Sequence, residues 1–406
     1  MNSLMQNIMT GMRWQVFGLW MAALLSFGPQ TTWAQSTKRQ VYLAPMYLND
    51  LRAMAMGNAY GPIARGEGAL YYNPAGLAQY EADIKLEASL DAEASSVVFL
   101  QDLQKNSKNP TATDLDAFLK KYSGTTQQLR VQTHSNGVAN FAKLGFGVGA
   151  SQIDNTRYVL DFNNNKTPTN YTDDSLNLSQ YTLNMKTTGV GVALYDGKLL
   201  IGGTTRLIKY QEGAVNNSYA NVITTGKVNT SITTETYNGN AADFGMLYRM
   251  ESLSSLRGMW SFTAQNLLGA KLYGTSQTLP VSQIFNFGFS LSPKLGPLEI
   301  LLTAEAEDLL NSVEIWDPVT NTGKKRSSTQ RSHYGAEIGL FRTEMGNHVL
   351  NLRVGRNRGL LTYGWELNLF SVFRLSAIRY QDDVGWSGNS IPQKSVAVHA
   401  GVGLAF

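Results

Sequence analysis

Histidines are the first place to look for acid–base or metal chemistry, and the chain has four of them. His134-Ser135-Asn136 contains the three residue types of a barrel phospholipase set. Adjacent residues of a strand point to opposite faces, so His134 and Ser135 cannot meet there as base and nucleophile. His333, His348 and His399 show no HxxxH or HExxH spacing, and cysteine is absent altogether. A histidine or thiolate metal site therefore has no support in the spacing. Gly145-Phe146-Gly147-Val148-Gly149-Ala150 superficially resembles a dinucleotide loop. No helical pattern follows it, and no acidic residue closes a βαβ unit. In a strand, Gly145, Gly147 and Gly149 instead mark a kink that could open the wall laterally, or a place where another segment packs close. No catalytic role, cofactor or metal is expected.

Charge is the remaining chemistry. Glu299, Glu305, Glu307, Glu337 and Glu366, with Arg353 and Arg374, fall on the polar faces of the later strands. Arg206 on an earlier strand and Arg52 near the N-terminus could pair with them. Such a set can be a salt-bridge network that ties strands to a packed segment. It can also line a lumen and guide a charged headgroup. Its acidic excess argues against a carboxylate-binding site.

Strands must position these groups. In Asp83–Asp91, Ile84, Leu86, Ala88 and Leu90 share one face and Lys85, Glu87, Ser89 and Asp91 the other. The same alternation runs through Leu298–Asp308, Ser332–Phe341 and Leu361–Leu369. Period two with one apolar and one polar face fits a half-buried strand, or a membrane barrel strand with one face to lipid and one to the lumen. Fourteen strands are expected, near 83–93, 129–141, 144–152, 180–195, 198–211, 238–250, 258–267, 283–292, 298–308, 332–343, 347–356, 360–370, 371–381 and 394–406.

The links between them alternate. Residues 94–128, 153–179, 212–237 and 309–331 are long and polar, whereas Ala142-Lys143, Asp196-Gly197, Pro293–Pro297, Glu344–Gly346 and the 370/371 junction are tight. Long outer loops and short periplasmic turns are the pattern of outer-membrane barrels. Asn357-Arg358-Gly359 is short where an outer loop is expected. Thr113–Lys120 reads as an amphipathic helix capped by Thr113 or Asp114. Tyr334, Tyr363, Trp365, Phe370 and Phe373 suit girdle positions, and Trp260, Trp316 and Trp386 fall in or near connections.

The flanks agree with export. Arg13, the apolar run Val16–Phe27 and Thr32-Trp33-Ala34 read as a signal peptide over residues 1–34, cleaved before Gln35. No later run approaches the ~20 apolar residues of a membrane-spanning helix. A net charge of +4 leaves no nucleic-acid footprint. The chain ends Val396, Val398, Ala400, Val402, Leu404, Phe406 on one face, opposed by Ser395, Ala397, His399, Gly401, Gly403 and Ala405. The small side chains of that second face would leave room in a lumen.

Arg52–Ala78 (RAMAMGNAYGPIARGEGALYYNPAGLA) is a poor strand and a poor helix, because of its glycines and Pro74. Residues 35–82 are therefore expected to form a compact plug inside a barrel over 83–406. The segment resembles the N-terminal hatch of the FadL-like outer-membrane transport superfamily, which includes long-chain fatty-acid transporters, TodX-type hydrocarbon channels and PorV-type secretion components. Arg52, Met54, Met56, Gly57, Ala59 and Tyr60, then Ala69 to Ala78 with Asn73-Pro74-Ala75-Gly76, carry the resemblance. So do Ala304–Leu310, Gly335-Ala336-Glu337, Leu352–Gly355 and Thr362-Tyr363-Gly364 in the C-terminal half. Arg65-Gly66-Glu67 departs from the acidic pair usual at this bend. The resemblance implies an all-β, fourteen-stranded transmembrane barrel in the outer membrane of a Gram-negative-type bacterium, with membrane lipid around it and a hydrophobic small molecule as cargo. It further implies Arg52 and Asn73–Gly76 as gating elements, Phe406 as a signal to the barrel assembly machinery, and, in the PorV-type alternative, a secreted protein as cargo. A structural barrel whose loops bind a partner is the third alternative.

Overall fold

In a computed structural model, residues 50–79, 84–106, 111–141, 144–163, 175–250, 256–295, 298–317, 322–342, 348–370, 372–383 and 392–405 are described. The expected signal peptide, residues 35–49 of the expected plug, Ala142-Lys143, Glu344–Gly346, Trp386 and Phe406 lie outside them.

Strands dominate the chain. In order they are β1 (Ile84–Ala94), β2 (Thr126–Phe141), β3 (Phe146–Asn163), β4 (Ser175–Leu194), β5 (Leu199–Ser218), β6 (Thr234–Arg249), β7 (Leu256–Tyr273), β8 (Thr278–Pro280), β9 (Ile284–Leu295) and β10 (Leu298–Ala306). There follow β11 (Glu314–Asp317), β12 (Thr322–Lys325), β13 (Ser332–Arg342), β14 (His348–Asn357), β15 (Leu360–Leu369), β16 (Phe373–Asp383) and β17 (Pro392–Ala405). Each wall strand pairs antiparallel with its neighbours, β1 pairs with β17, and β6 pairs with β7, which closes a ring of 14 strands. Closure satisfies the backbone groups of every wall strand, the condition for crossing a bilayer with sheet. The three-residue β8 flanks β7, and β11–β12 form a small hairpin of their own.

Alternation sets the faces. Ile84, Leu86, Leu90, Leu352, Val354, Val398 and Val402 point outward and are exposed. Tyr334, Tyr363, Trp365, Phe370 and Phe373 join them. An outward apolar band with aromatics is what lipid requires, so the barrel sits in the outer membrane of a Gram-negative-type cell. Trp260, near the start of β7, also lies on this face, its ring centroid 4.3 Å from that of Phe289.

The wall is uneven in height. β1, β10 and β13–β16 have 9 to 11 residues, enough to cross a bilayer at a tilt, whereas β2–β7 have 16 to 20. The expected loops 153–179 and 212–237 were drawn too long, because polar Asn, Thr and Ser residues continue β3, β4 and β5 beyond the apolar band. β5 runs to Ser218, and a helix over Tyr219–Thr225 follows. The helix expected over Thr113–Lys120 spans Ala112–Tyr122, and its cap is Thr111, not Thr113 or Asp114. Asp114 instead occupies the third helical position and closes a capping box. Together with a helix over Val97–Asn106 these pieces bury Phe99, Phe118, Leu119, Leu160, Phe162 and Leu178 in one cluster. Leu160 and Phe162 continue the outward series of Tyr158, so the cluster sits on the outer flank of the tall wall.

At the other end the described β4–β5 turn is tight. Tyr195, Asp196 and Gly197 all have positive φ between β4 and β5. At the outer end Arg358 (φ 52°) and Gly359 (φ 87°) close β14–β15 in two residues, so the short outer link expected at Asn357-Arg358-Gly359 is a hairpin turn.

Candidate functional site

The lumen is occupied by residues 50–79, a run of one short helix (Leu51–Ala55) and three 3-10 turns (Gly61–Ile63, Gly66–Leu70, Pro74–Ala78). Ala53, Ala55, Met56, Ala59, Ala64, Ala69, Asn73 and Ala75 are all fully buried. Small residues allow this, because every turn runs against the barrel wall.

The closest contacts fall on a row of glycines. Gly147 of β3, Gly191 of β4, Gly202 of β5 and Gly245 of β6 are register partners in succession. A Cβ on Gly147 would lie 1.9 Å from the Leu77 carbonyl oxygen, and one on Gly202 would lie 2.4 Å from Pro74 backbone. A Cβ on Gly245 would lie 2.1 Å from Asn73 Oδ1. Leu70 and Leu77 fill the space over Gly149 and Gly189. β3 pairs in unbroken register with β2 and β4 from Phe146 to the outer end, so no bulge marks Gly147 or Gly149. Gly145 (φ 67°) belongs to the preceding turn, and Gly147 and Gly149 make room for the plug. The wall's irregularity lies in β7, where the register against β6 shifts near Asn240–Phe244.

The motif Asn73-Pro74-Ala75-Gly76 is built to fit this row. Asn73 caps the turn by accepting from the Ala75 N–H (3.2 Å), and its amide donates to the Met246 carbonyl (3.1 Å). Pro74 opens the turn, where a missing donor is harmless. Gly76 lets the plug fold on itself, since a Cβ there would lie 2.0 Å from the Ala64 carbonyl oxygen. Asn140 of β2 donates to the Leu77 and Gln79 carbonyls, at 2.9 and 2.7 Å.

Across the lumen a second seat holds the first half of the plug. Gly335 and Gly355 are register partners and admit the Met56–Gly57 backbone. Thr362 Oγ1 donates to the Ala55 carbonyl (3.0 Å), His333 Nδ1 donates to the Gly57 carbonyl (2.8 Å), and Glu305 accepts from the Gly61 N–H (2.8 Å).

The charged residues form several small networks rather than one pool. Arg52 makes a two-pronged bond to Glu337, at 2.8 and 2.7 Å. Glu337 also accepts from Arg353 (2.5 Å), which reaches Glu366 at 3.1 Å. Arg374 holds Glu67 of the plug at 2.7 Å and pairs with Glu87 of β1. Its Nε donates to His399 Nε2 (3.1 Å), so His399 donates from Nδ1 to Asp91 (2.6 Å). Glu307 pairs with Arg326 at 2.8 Å. Glu299 stands apart, 3.4 Å from His348. Arg206 is not in this set: it pairs with Asp243 (2.6 Å) and donates to Asn266 (2.7 Å). His134 faces the lumen against Tyr71 (2.9 Å), whose hydroxyl donates to Ser151.

Glu67 explains the unusual bend at Arg65-Gly66-Glu67. Burial by itself would raise its pKa, but Arg374, with Lys85 and His134 behind it, outweighs burial and holds the carboxyl well below the usual range. A depressed pKa supports plug docking above the ordinary glutamate range and loses that support only as pH falls through the depressed value.

The two halves of the lumen differ in chemistry. The charged pairs concentrate on β1 and β13–β17. On β3–β7 above the plug, inward Ile153, Leu183, Met185, Ile208, Tyr210 and Leu272 form one apolar cluster with Leu70, Tyr71 and Leu77. Sequence reasoning missed this wall and the glycines at 191, 202 and 245. The signal was available: Gly189, Gly191, Gly202 and Gly245 fall on inward positions of their strands, as do Ile153 and Met185. Without the plug's path those positions have no distinguishing mark.

By sequence the chain matches no protein-family model and no curated protein. By structure it is similar to the toluene transporter TbuX of Ralstonia pickettii, at 10% identity over 87% of this chain and 97% of that one, with a TM-score of 0.51. Also similar are the Pseudomonas putida toluene transporter TodX (14% identity, 90% and 98% covered, TM-score 0.48) and a Pseudomonas aeruginosa FadL homologue (9%, 87% and 95%, 0.37). At such identity the likeness to TbuX speaks for the fold. With the closed ring and the filled lumen already described, it leads to one conclusion: this chain has the FadL-like fold, an outer-membrane barrel of 14 antiparallel strands.

Proposed function

We propose that this chain is a passive outer-membrane channel for hydrophobic compounds, closed by its N-terminal segment acting as a hatch. The observation that carries the reading is the apolar inner wall on β3–β7, continuous with Leu70 and Leu77 of the hatch. A water-filled pore is lined by polar groups. An apolar wall instead suits a path on which an apolar solute replaces apolar packing. The solved structures of similar fold include toluene transporters, which supports uptake of this class and a role without catalysis. Long-chain fatty acids fall within it as the finer candidate. Arg52 and Asn73–Gly76 hold the two ends of the hatch and are the gating elements in this reading, and Phe406 would address the assembly machinery. A second reading, protein secretion or surface attachment, draws on the apolar-cored helices on the outer flank of β3–β5, where a secreted partner could dock.

Deleting Ala69–Ala78 removes the part of the hatch over the glycine row and is expected to raise single-channel conductance in planar bilayers. Cells lacking the chain should take up labelled toluene or oleate more slowly, with recovery on re-expression. Unchanged conductance from a folded barrel would remove the hatch, and unchanged uptake of both solutes would remove the channel.

A further inference from the structure

We propose that the β7–β8 hairpin is an outer lid over the apolar wall, a second gate opposite the hatch. The proposal rests on the channel reading above. β8 is held to β7 by three register pairs only, Lys271↔Pro280, Leu272↔Leu279 and Tyr273↔Thr278. Such a short hairpin is marginal alone and opens at low cost. Its inward residues Leu272 and Leu279 are fully buried against Tyr210 and Tyr237, the outermost members of the apolar cluster. Those two rings stack with centroids 5.9 Å apart. The tip of the hairpin bends over the lumen face of β6: Gln277 donates to the Tyr237 hydroxyl (2.9 Å), and Ser276 donates to Glu235 from both its N–H (3.0 Å) and its hydroxyl. Gly274 lies flat on the Tyr237 ring, where a Cβ would come within 2.6 Å. The β7–β9 pairing ends at Gln265↔Ile284, and between it and β8 the chain is held by two bonds, the Val281 N–H to the Ala270 carbonyl (2.9 Å) and the Asn266 amide to the Ser282 carbonyl (2.6 Å). Beyond the bulge around Asn266 (φ 56°) and Gly269 (φ 64°) the β7 arm stays in the wall, because Lys271, Leu272 and Tyr273 pair with Asn240, Gly239 and Asn238 of β6, so the moving part of the lid is β8 with the tip. An apolar solute arriving from outside meets this hairpin before it meets the wall.

The chain has no cysteine, so single thiols report cleanly. Leu272→Cys should react slowly with a membrane-impermeant maleimide on intact cells, and the neighbouring outward Tyr273→Cys quickly. Adding Ser276→Ala and Gln277→Ala removes the two side-chain hydrogen bonds of the tip and should speed labelling of Leu272→Cys on the order of tenfold, leaving Tyr273→Cys unchanged. Equal labelling with and without these changes would overturn the lid. A Tyr237→Cys/Gly274→Cys pair should, once oxidised, block entry of the apolar dye N-phenylnaphthylamine, with reductant restoring it; entry indifferent to oxidation would also overturn it. If the wild-type barrel admits no dye while labelling is still gated, the lid stands and the channel reading falls.

Discussion

Gly202→Val is expected to open the barrel. The Cβ alone would lie 2.4 Å from the Pro74 carbonyl carbon and oxygen, and packed atoms do not tolerate less than 3.0 Å. The obstacle is backbone, so no rotamer change relieves it. Nor can the turn slide sideways, because Gly191 and Gly245 seat Ala78 and Asn73 just as tightly on either side. The Pro74–Ala78 turn must leave the row, and it takes with it the Asn73–Met246 and Asn140–Leu77 hydrogen bonds. Conductance should rise towards that of the Ala69–Ala78 deletion while the barrel stays folded, because the wall pairing of β5 does not involve the side chain. Gly203→Val is the control. It points to the other face, where a Cβ meets nothing closer than 3.5 Å, and should leave conductance as in the wild type. Equal conductance for the two variants would mean that the glycine row does not seat the hatch.

Glu337→Ala should release the other end. It leaves the buried Arg52 guanidinium without the carboxylate that takes its two charge-assisted bonds, whereas Arg353 keeps Glu366. Removing one partner of a buried pair costs about 3–5 kcal/mol, because the remaining charge has lost its water as well as its partner. The side chains of Arg52 and Glu337 are 13% and 10% exposed, so little solvent is at hand to offset this. The expected result is rapid trypsin cleavage after Arg52 in a barrel that otherwise resists digestion, with strand content by circular dichroism unchanged. Continued protection of Arg52 would show that the glycine seat at Gly335 and Gly355 holds the helix without the ion pair. The two variants act at opposite ends of the hatch, so their effects on conductance separate a hinged hatch from one that leaves as a unit.

Much of the barrel was legible in the chain. Alternation in Ile84–Leu90 and Tyr334–Leu340 gave the strands and their faces, because period two is a local property of extended backbone. The helix was visible over Thr113–Lys120, but its cap is Thr111 and not Thr113 or Asp114, because Asp114 bonds back to Thr111 in a capping box that fixes the first turn. The outer ends of β3 to β5 were taken for loop because their Asn- and Thr-rich sequence has no apolar face until Leu160, Phe162, Leu176 and Leu178, which the loop helices cover.

The candidate site divides in the same way. That Arg52–Ala78 is a compact plug follows from composition, since glycine, alanine and Pro74 disfavour both regular structures. That Arg52 and Arg206 serve different partners, Glu337 and Asp243, could not be read from residue types, because any arginine on a lumen face can pair with any carboxylate on it. Gly147, Gly191, Gly202 and Gly245 are scattered over about a hundred residues of sequence and become one feature only when strand register aligns them. Which residues face lipid and which face inward could be read from the chain, because that depends on each strand's own alternation. Which inward residues meet the hatch, and which half of the lumen is apolar, were decided by closure of the ring, because contacts across a barrel depend on register and stagger, to which no single strand contributes a local signal.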